Sequence, residues 1–364
     1  MRLMNVLWLA NIPSPYRVKF FNELGKKCDL TVLFEKKASS ERDESWKKIE
    51  DKNFHAVYLK GKSVGVAEAF CPSVIKYLKK RYDHIVVTNY SDPTGILAVL
   101  WMRLFHIKYE IEGDGAFPGI KSGLKARVKQ FIFKGATVCF SSAKMHDKYY
   151  RSYGVSQKKI IRYTFTSIME KDILENVVTQ EEKLEVRKKL NIPEPKVILA
   201  IGQFIYRKGF DTLLYAMKEF PDTVGVYIVG GKATSEYMDI VSQNNIKNIH
   251  FIDFIQPDEL KKYFYAADLF VHPTREDIWG LVINEAMANG LPVITTDRCI
   301  AGLEMVYDGV NGRIVKAGNV DELRDAILAW LDKENVSNGV SLKIAKKYTI
   351  ENMAKNHVNL WKNI

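Results

Sequence analysis

Two doubly wound α/β domains are what the sequence predicts, on three observations. The chain has 364 residues, and single hydrophobic cores stop growing below that length. Short apolar, β-branched runs alternate with longer helical patterns from end to end, as βα units around parallel sheets do. The alternation also occurs twice, on either side of the polar stretch 170–195, where Asn191, Pro193 and Pro195 break a helix. The expected division is 1–170, 171–345 and a last helix over 346–364 that packs back on the first domain. The two parallel-sheet domains would face a cleft, and in such sheets ligands sit beyond the carboxyl ends of the strands.

The elements follow in order. Asn5–Ala10 is a continuous apolar run, and Pro13 and Pro15 fix the turn after it before Tyr16 and Arg17 open a helix that continues through Val18-Lys-Phe-Phe-Asn-Glu-Leu24. Further strands are expected at 30–34, 56–59, 84–88, 108–112, 137–140 and 159–163. Residues 95–105 are the longest strongly apolar stretch, about half a membrane span, and contain Arg103. Residues 119–134 read as an amphipathic helix, with Lys121, Lys125 and Lys129 on one stripe and Ile120, Leu124, Val128, Phe131 and Ile132 on the next. In the second half the strands are expected at 196–201, 225–229, 249–252, 269–272, 292–295 and 312–315.

Composition excludes several classes. Hydrophobic residues make up 47% and charged residues 27%, the balance of a globular chain rather than a disordered one. Cys28, Cys71, Cys139 and Cys299 lie far apart, which argues against a zinc site or a disulfide framework and for a reducing cytoplasm. Residues 1–10 are too short an apolar run for a secretory signal. The first strand leads into Asn11-Ile-Pro-Ser-Pro-Tyr rather than a G-x-G-x-x-G turn, which speaks against a nicotinamide oxidoreductase. Charge is divided unevenly: residues 1–170 hold 30 Lys and Arg against 16 Asp and Glu, whereas residues 171–364 hold 24 against 27. A basic half of this kind faces something anionic or is simply solvated. No nucleic-acid-binding motif or aromatic-basic platform is present, so nucleic acid is not an expected partner.

The densest chemical signal is Val271-His-Pro-Thr-Arg-Glu-Asp-Ile-Trp-Gly-Leu-Val-Ile-Asn-Glu-Ala-Met-Ala-Asn-Gly-Leu-Pro-Val-Ile294. It reads as strand, loop, helix and next strand. Gly280 opens the helix, so the amides of Gly280, Leu281 and Val282 lie at its positive end, a place suited to a diphosphate. Asp277 precedes that start and Glu285 follows it, two acceptors able to hold sugar hydroxyls on both flanks of a diphosphate. Taken alone, Asp277 reads equally as a helix cap and Glu285 as a surface residue. His272, at a strand end, reads as packed core. A second segment, from Ile198 to Leu214, runs from a strand through Gly202 to the adjacent cations Arg207 and Lys208. Cations after a strand's carboxyl end are placed to neutralise phosphate oxygens, Arg as a fork and Lys as a point charge.

Together, Gly202…Arg207-Lys208-Gly209, the Asp277-x7-Glu285 segment and Glu304…Asp308-Gly-Val-Asn-Gly312 resemble the donor domain of family 4 glycosyltransferases. The resemblance covers most of residues 196–316 and implies the GT-B architecture of two Rossmann-like domains, with retention at the anomeric carbon. It implies that Arg207 and Lys208 hold the diphosphate, that Glu285 binds the ribose and that Asp277 binds the donor sugar. The family usually has Glu where Asp277 stands. Glu276 is adjacent, and counting back from Gly280 favours Asp277.

The first half matches less closely. Its Pro15-Tyr16-Arg17 form resembles a bacterial branch that makes surface polysaccharides, which implies acceptor-side residues Pro15, Tyr16 and Arg17. The family's loop histidine is absent, and Asp114 in Glu110-Ile-Glu-Gly-Asp-Gly-Ala-Phe117 takes the comparable place. Glu112-Gly-Asp114 also resembles the acidic metal motif of the other large glycosyltransferase architecture. With a diphosphate site made of side chains and a helix end, however, neither a metal nor another cofactor is expected.

The expected activity is transfer of a hexose from a nucleotide sugar, UDP-linked by expectation, to a polyprenyl-diphosphate-linked saccharide in capsule, exopolysaccharide or O-antigen synthesis. The expected location is cytoplasmic, peripheral on the anionic inner face of the plasma membrane, with the basic helix over 119–134 as the contact. The alternatives are a GT-B nucleotide-sugar epimerase and a basic nucleic-acid- or membrane-binding module without catalysis.

Overall fold

A computed structural model describes residues 3–37, 52–119, 122–332 and 339–363. The chain forms two units, Met1–Ser167 with Thr349–Ile364, and Ile168–Tyr348.

The first unit contains β1 (Asn5–Ala10), β2 (Asp29–Phe34), β3 (His55–Tyr58), β4 (Lys62–Ser63), β5 (Ala69–Phe70), β6 (His84–Val87), β7 (Glu110–Glu112), β8 (Val138–Ser141) and β9 (Ile160–Arg162). Among the described residues seven of these form one parallel sheet in the order β3-β2-β1-β6-β7-β8-β9. The central strand β1 is buried from Val6 to Ala10 and registers Leu9 against both Leu33 and Val87. Burial on both faces explains why its sequence is continuously apolar rather than alternating. The short antiparallel pair β4–β5 is an addition that no apolar run announced. The helix Ile350–Lys362 belongs to this unit and packs on the helix Pro15–Gly25.

The second unit contains β10 (Lys196–Ile201), β11 (Val224–Val229), β12 (Ile249–Ile252), β13 (Leu269–His272), β14 (Val293–Thr296) and β15 (Gly312–Val315). These are parallel in the order β12-β11-β10-β13-β14-β15. In each sheet the chain first grows to one side and then returns to the other side of its first strand. The reversal lies between β1 and β6 in one sheet and between β10 and β13 in the other. Loops after such a pair of strands diverge to opposite faces and leave a crevice at their carboxyl ends.

Two expectations need revision. The stretch 170–195, read as the join, lies wholly inside the second unit, because the division falls at Ser167 and Ile168. It holds the helix Gln180–Leu190, opened by a Thr179–Glu182 capping box and closed by Asn191 in the left-handed conformation. Its charges look inward: Lys183 and Arg187 are buried, and both pair with Asp268, at 3.0 and 2.7 Å. The helix expected over 119–134 spans Gly123–Gly135, with Ser122 as its N-cap. Ile120 and Lys121 lie outside the described residues. Along the apolar stripe read from sequence, Leu124 and Phe131 are 77% and 42% exposed while Ile132 is buried, as is Phe133 beside it, so the stripe is divided between surface and core.

Candidate functional site

The crevice of the second unit is built from the loops after β10 and β13. After Ile201 the chain turns at Gly202, whose backbone lies so close to Gly230 that a Cβ on Gly230 would stand 1.9 Å from the Gly202 oxygen. A short 3-10 turn, Tyr206–Lys208, then presents the two cations, and Gly209, at φ +67°, swings the chain into the helix Phe210–Ala216. A side chain at Gly209 would meet the Pro273 carbonyl at 2.2 Å, so glycine there lets the two loops touch.

From the other side comes the loop after His272. Its backbone is fastened to the first loop by Arg275 N–H donating to Arg207 O (2.8 Å) and by Thr274 Oγ1 donating to the same oxygen (2.9 Å). Arg275 also forks onto Asp211 at 2.7 and 2.6 Å and lies 4.1 Å above the Tyr206 ring. The loop that carries the cations is thereby fastened to the loop after β13.

Asp277 is where the pieces meet. Lys208 Nζ donates to its Oδ2 at 2.7 Å, His272 Nε2 to the same oxygen at 3.2 Å, and Arg207 lies 3.7 Å away while donating to the Glu276 carbonyl at 2.8 Å. Burial alone would raise the Asp277 carboxyl, but the His272 hydrogen bond and the Lys208 charge more than offset it and hold it well below the ordinary carboxylate range. His272 is pushed the other way: burial, opposed by its bond to Asp277 and reinforced by Lys208 and Arg207, lowers it. Glu276 is exposed and pairs with Arg298 at 2.5 Å, so it is Asp277 that the fold turns toward the cations.

Gly280, at φ +97°, is the N-cap of the helix Leu281–Ala288. A Cβ there would stand 2.7 Å from Cys299 Sγ. The helix's first turn closes from Ile283 N–H to Gly280 O at 2.9 Å, which leaves the amides of Leu281 and Val282 at its open end. Glu285 is half-buried one turn further along. The fold thus joins Arg207, Lys208 and Asp277 by direct contact, with Gly202 beside the Lys208 side chain, and it places Gly280, Leu281, Val282 and Glu285 at the adjoining helix. His272, read from sequence as core, is core and site at once. Its position five residues before Asp277, at the end of the strand that feeds the loop, was the available signal.

In the first unit the expected acceptor-side residues form a different kind of cluster. Pro15 is the first residue of its helix. Arg17 is buried, and its guanidinium spans Glu112 (2.5 Å) and Asp114, while Tyr16 donates to Asp114 at 2.8 Å. Of these four, Tyr16, Arg17 and Asp114 are in mutual contact. The Glu112-Gly-Asp114 carboxylates therefore hold a guanidinium rather than standing open. Among the described residues no group of three or more His, Cys, Asp or Glu side chains is placed to hold a metal ion. Glu35 and His146, which the sequence reading did not single out, are among the strongly shifted groups of this unit. Burial raises Glu35, bound by the Ala69 amide at 2.6 Å and by Asn89, to about 7. Burial likewise lowers His146 to about 3.

Residues 182–348 match the family described as "Glycosyl transferases group 1". An uncharacterized glycosyltransferase of Methanocaldococcus jannaschii is 31% identical over 192 residues, covering 50% of this chain and 49% of that protein. The O-antigen biosynthesis glycosyltransferase WclY of Escherichia coli is 28% identical over 159 residues, covering 43% and 42%. The matched region thus spans about half the length of these relatives or less. Among solved structures, Anabaena HepE in complex with UDP and glucose superposes with a TM-score of 0.75 at 16% identity, covering 99% of this chain and 100% of that one. That likeness is one of fold: two Rossmann-like units in the GT-B architecture.

Proposed function

We propose that this chain, whose residues 182–348 match the glycosyl transferases of group 1, is a retaining hexosyltransferase that uses a nucleotide sugar, with UDP as the carrier. The observation that carries the reading is the crevice between β10 and β13, where two adjacent cations, an ionised carboxylate and an open helix N-terminus converge. A departing nucleoside diphosphate develops negative charge on its oxygens. Arg207, Lys208 and the amides of Leu281 and Val282 are fixed donors for that charge, which lowers the barrier without reorganisation at the moment of transfer. Asp277 then takes hydroxyls of the donor sugar and Glu285 those of the ribose. The acceptor hydroxyl attacks the anomeric carbon from the face the diphosphate leaves and passes its proton to the leaving oxygen. The side chains supply the neutralisation, so a chelator leaves the reaction intact.

The acceptor is proposed to be a polyprenyl-diphosphate-linked saccharide of surface-polysaccharide synthesis, bound by the first unit near Tyr16, Arg17 and Asp114. WclY, an O-antigen enzyme by name, supports that class. A lipid-linked acceptor requires the first unit to reach a membrane surface. Among the described residues no helix is long and apolar enough to cross one. The helices Pro93–Leu104 and Gly123–Gly135 pack together and expose Leu100, Leu104, Phe105, Leu124 and Phe131, with Lys125, Arg127 and Lys134 on the same pair. An apolar ridge among cations matches an anionic leaflet, whose lipids attract each Lys or Arg by about 1 kcal/mol. A panel of nucleotide sugars, scored by thermal stabilisation and by product analysis with and without lipid-linked acceptor, tests the reading. Stabilisation by UDP-sugars and transfer only with acceptor are expected. Sugar release or isomerisation without acceptor would favour a GT-B epimerase, and no response to any nucleotide sugar would end the proposal.

A further inference from the structure

His272 sits at the carboxyl end of β13 with no surface exposed, its ring stacked on Phe270 at an interplanar angle of 15°. Its Nε2–H reaches Asp277, and Nδ1 is buried without a hydrogen-bond partner among the described residues. A buried imidazole normally satisfies both nitrogens, so this ring is placed for the one bond it makes. The other donors to the same carboxylate oxygen differ in kind. Lys208 stands at the end of a flexible four-carbon stem on a turn, and Arg207 is half exposed with its guanidinium 3.7 Å away. Both are the groups that a diphosphate would draw toward itself.

We propose that His272 is the positioning residue that keeps the Asp277 carboxylate oriented and ionised toward the donor sugar when Lys208 turns from it to the diphosphate. The inference rests on the nucleotide-sugar reading of the same site. Lys208 has three N–H donors but a single charge, so a phosphate that draws Nζ toward itself lengthens the bond to Asp277 and shares that charge between two anions. The approaching phosphate adds negative charge beside a largely buried carboxylate, and both changes favour protonating it. A donor mounted on a packed strand cannot follow the phosphate, so it remains. Among the described residues, the titratable groups facing Asp277 are Lys208 and Arg207 from the loop after β10, His272 from β13, and Cys299 at the start of the helix Ile300–Met305, whose thiol burial pushes up to about 12. Glu276 is turned away to Arg298. With Lys208 and Arg207 engaged by phosphate and the thiol neutral, His272 is the donor left to the carboxylate.

The test compares the full chain with His272→Phe, which keeps an aromatic ring and removes the donor, and with His272→Gln, which returns an N–H near the Nε2 position. Calorimetric titration with UDP at pH 5, in two buffers of different ionisation enthalpy, counts the protons taken up on binding. Wild type and His272→Gln should take up the same number. His272→Phe should take up a further fraction of a proton, because Asp277 loses its remaining donor as the nucleotide binds. In turnover with the preferred nucleotide sugar, His272→Phe should lose roughly tenfold in kcat, as for one charge-assisted hydrogen bond, with donor KM changed less than about threefold. The acid limb of its pH profile should move upward, and His272→Gln should restore it. A defect of folding alone would lower the amount of active protein without moving the limb or the proton count. Equal proton uptake in all three proteins, with superposable pH profiles, overturns the proposal. If wild type binds no UDP, the nucleotide-sugar reading fails instead. Inorganic pyrophosphate, which needs only the two cations, then replaces UDP, and its proton count decides the role of His272.

Discussion

Removing the Glu112 carboxylate should release the C-terminal helix from the first unit. Glu112 is completely buried at the end of β7, with Arg17 at 2.5 Å on one oxygen and His357 Nε2 at 2.6 Å on the other. Two residues earlier, Glu110 accepts from Trp361 Nε1 at 2.7 Å and pairs with His84 at the same distance. The helix Ile350–Lys362 is thus tied to the first sheet by two carboxylates as well as by its apolar face. Glu112→Ala strands a buried guanidinium, a change that costs about 3–5 kcal/mol when one partner of a buried pair is removed. The His357 bond is part of the same network, so its loss does not add in full. Burial would raise the Glu112 carboxyl, but Arg17 and His357 together lower it. A lowered folded pKa gives stability that is present above the unfolded carboxyl value of about 4.3 and is lost as pH falls through the folded value. The stability gap between wild type and Glu112→Gln should therefore be widest at neutral pH and close as the pH drops below about 4. Urea unfolding followed by hydrogen exchange, read separately on peptides of each unit, measures this. Protection should fall over 350–362 and the first sheet, with the second unit unchanged. A loss below about 1 kcal/mol, or a gap that does not vary with pH, would refute the anchoring role.

Three further outcomes are expected. Arg207→Ala and Lys208→Ala should each weaken UDP binding by about 1.5–3 kcal/mol in calorimetry, with Arg207 nearer the lower figure because it is half exposed; unchanged affinity in both removes them from the site. Glu285→Gln should chiefly reduce donor affinity, whereas Asp277→Asn should reduce turnover more than affinity, and a chelator should alter neither wild-type value; full activity in Asp277→Asn with loss in Glu276→Gln would reassign the carboxylate. Replacing Lys125, Arg127 and Lys134 by Glu should abolish co-sedimentation with anionic vesicles while leaving UDP binding intact, and high salt should do the same; equal sedimentation by variant and wild type would remove these helices as the contact.

The sequence by itself determined the class and most of the strands. Parallel strands covered on both faces must be apolar throughout, so Asn5–Ala10 and Lys196–Ile201 stand out from the amphipathic helices between them. It also determined the neighbourhood of Arg207, Lys208, Asp277 and Gly280, since glycine turns at strand ends and a helix start are local features. The charged helix Gln180–Leu190 was misread as a join because Lys183 and Arg187 find Asp268, more than 80 residues away, and no local pattern records that pairing. For the helix Gly123–Gly135 the sequence left open which way its apolar stripe faces, because periodicity fixes which residues share a stripe and not which stripe the rest of the fold covers. Only the tertiary structure decided that Lys208, His272 and Asp277 share one oxygen. That meeting depends on β10 and β13 being neighbours in the sheet although two strands separate them in the chain. It likewise decided that Arg17 fills the space between Glu112 and Asp114, because the guanidinium and the two carboxylates come from elements almost a hundred residues apart and are joined by burial rather than by spacing.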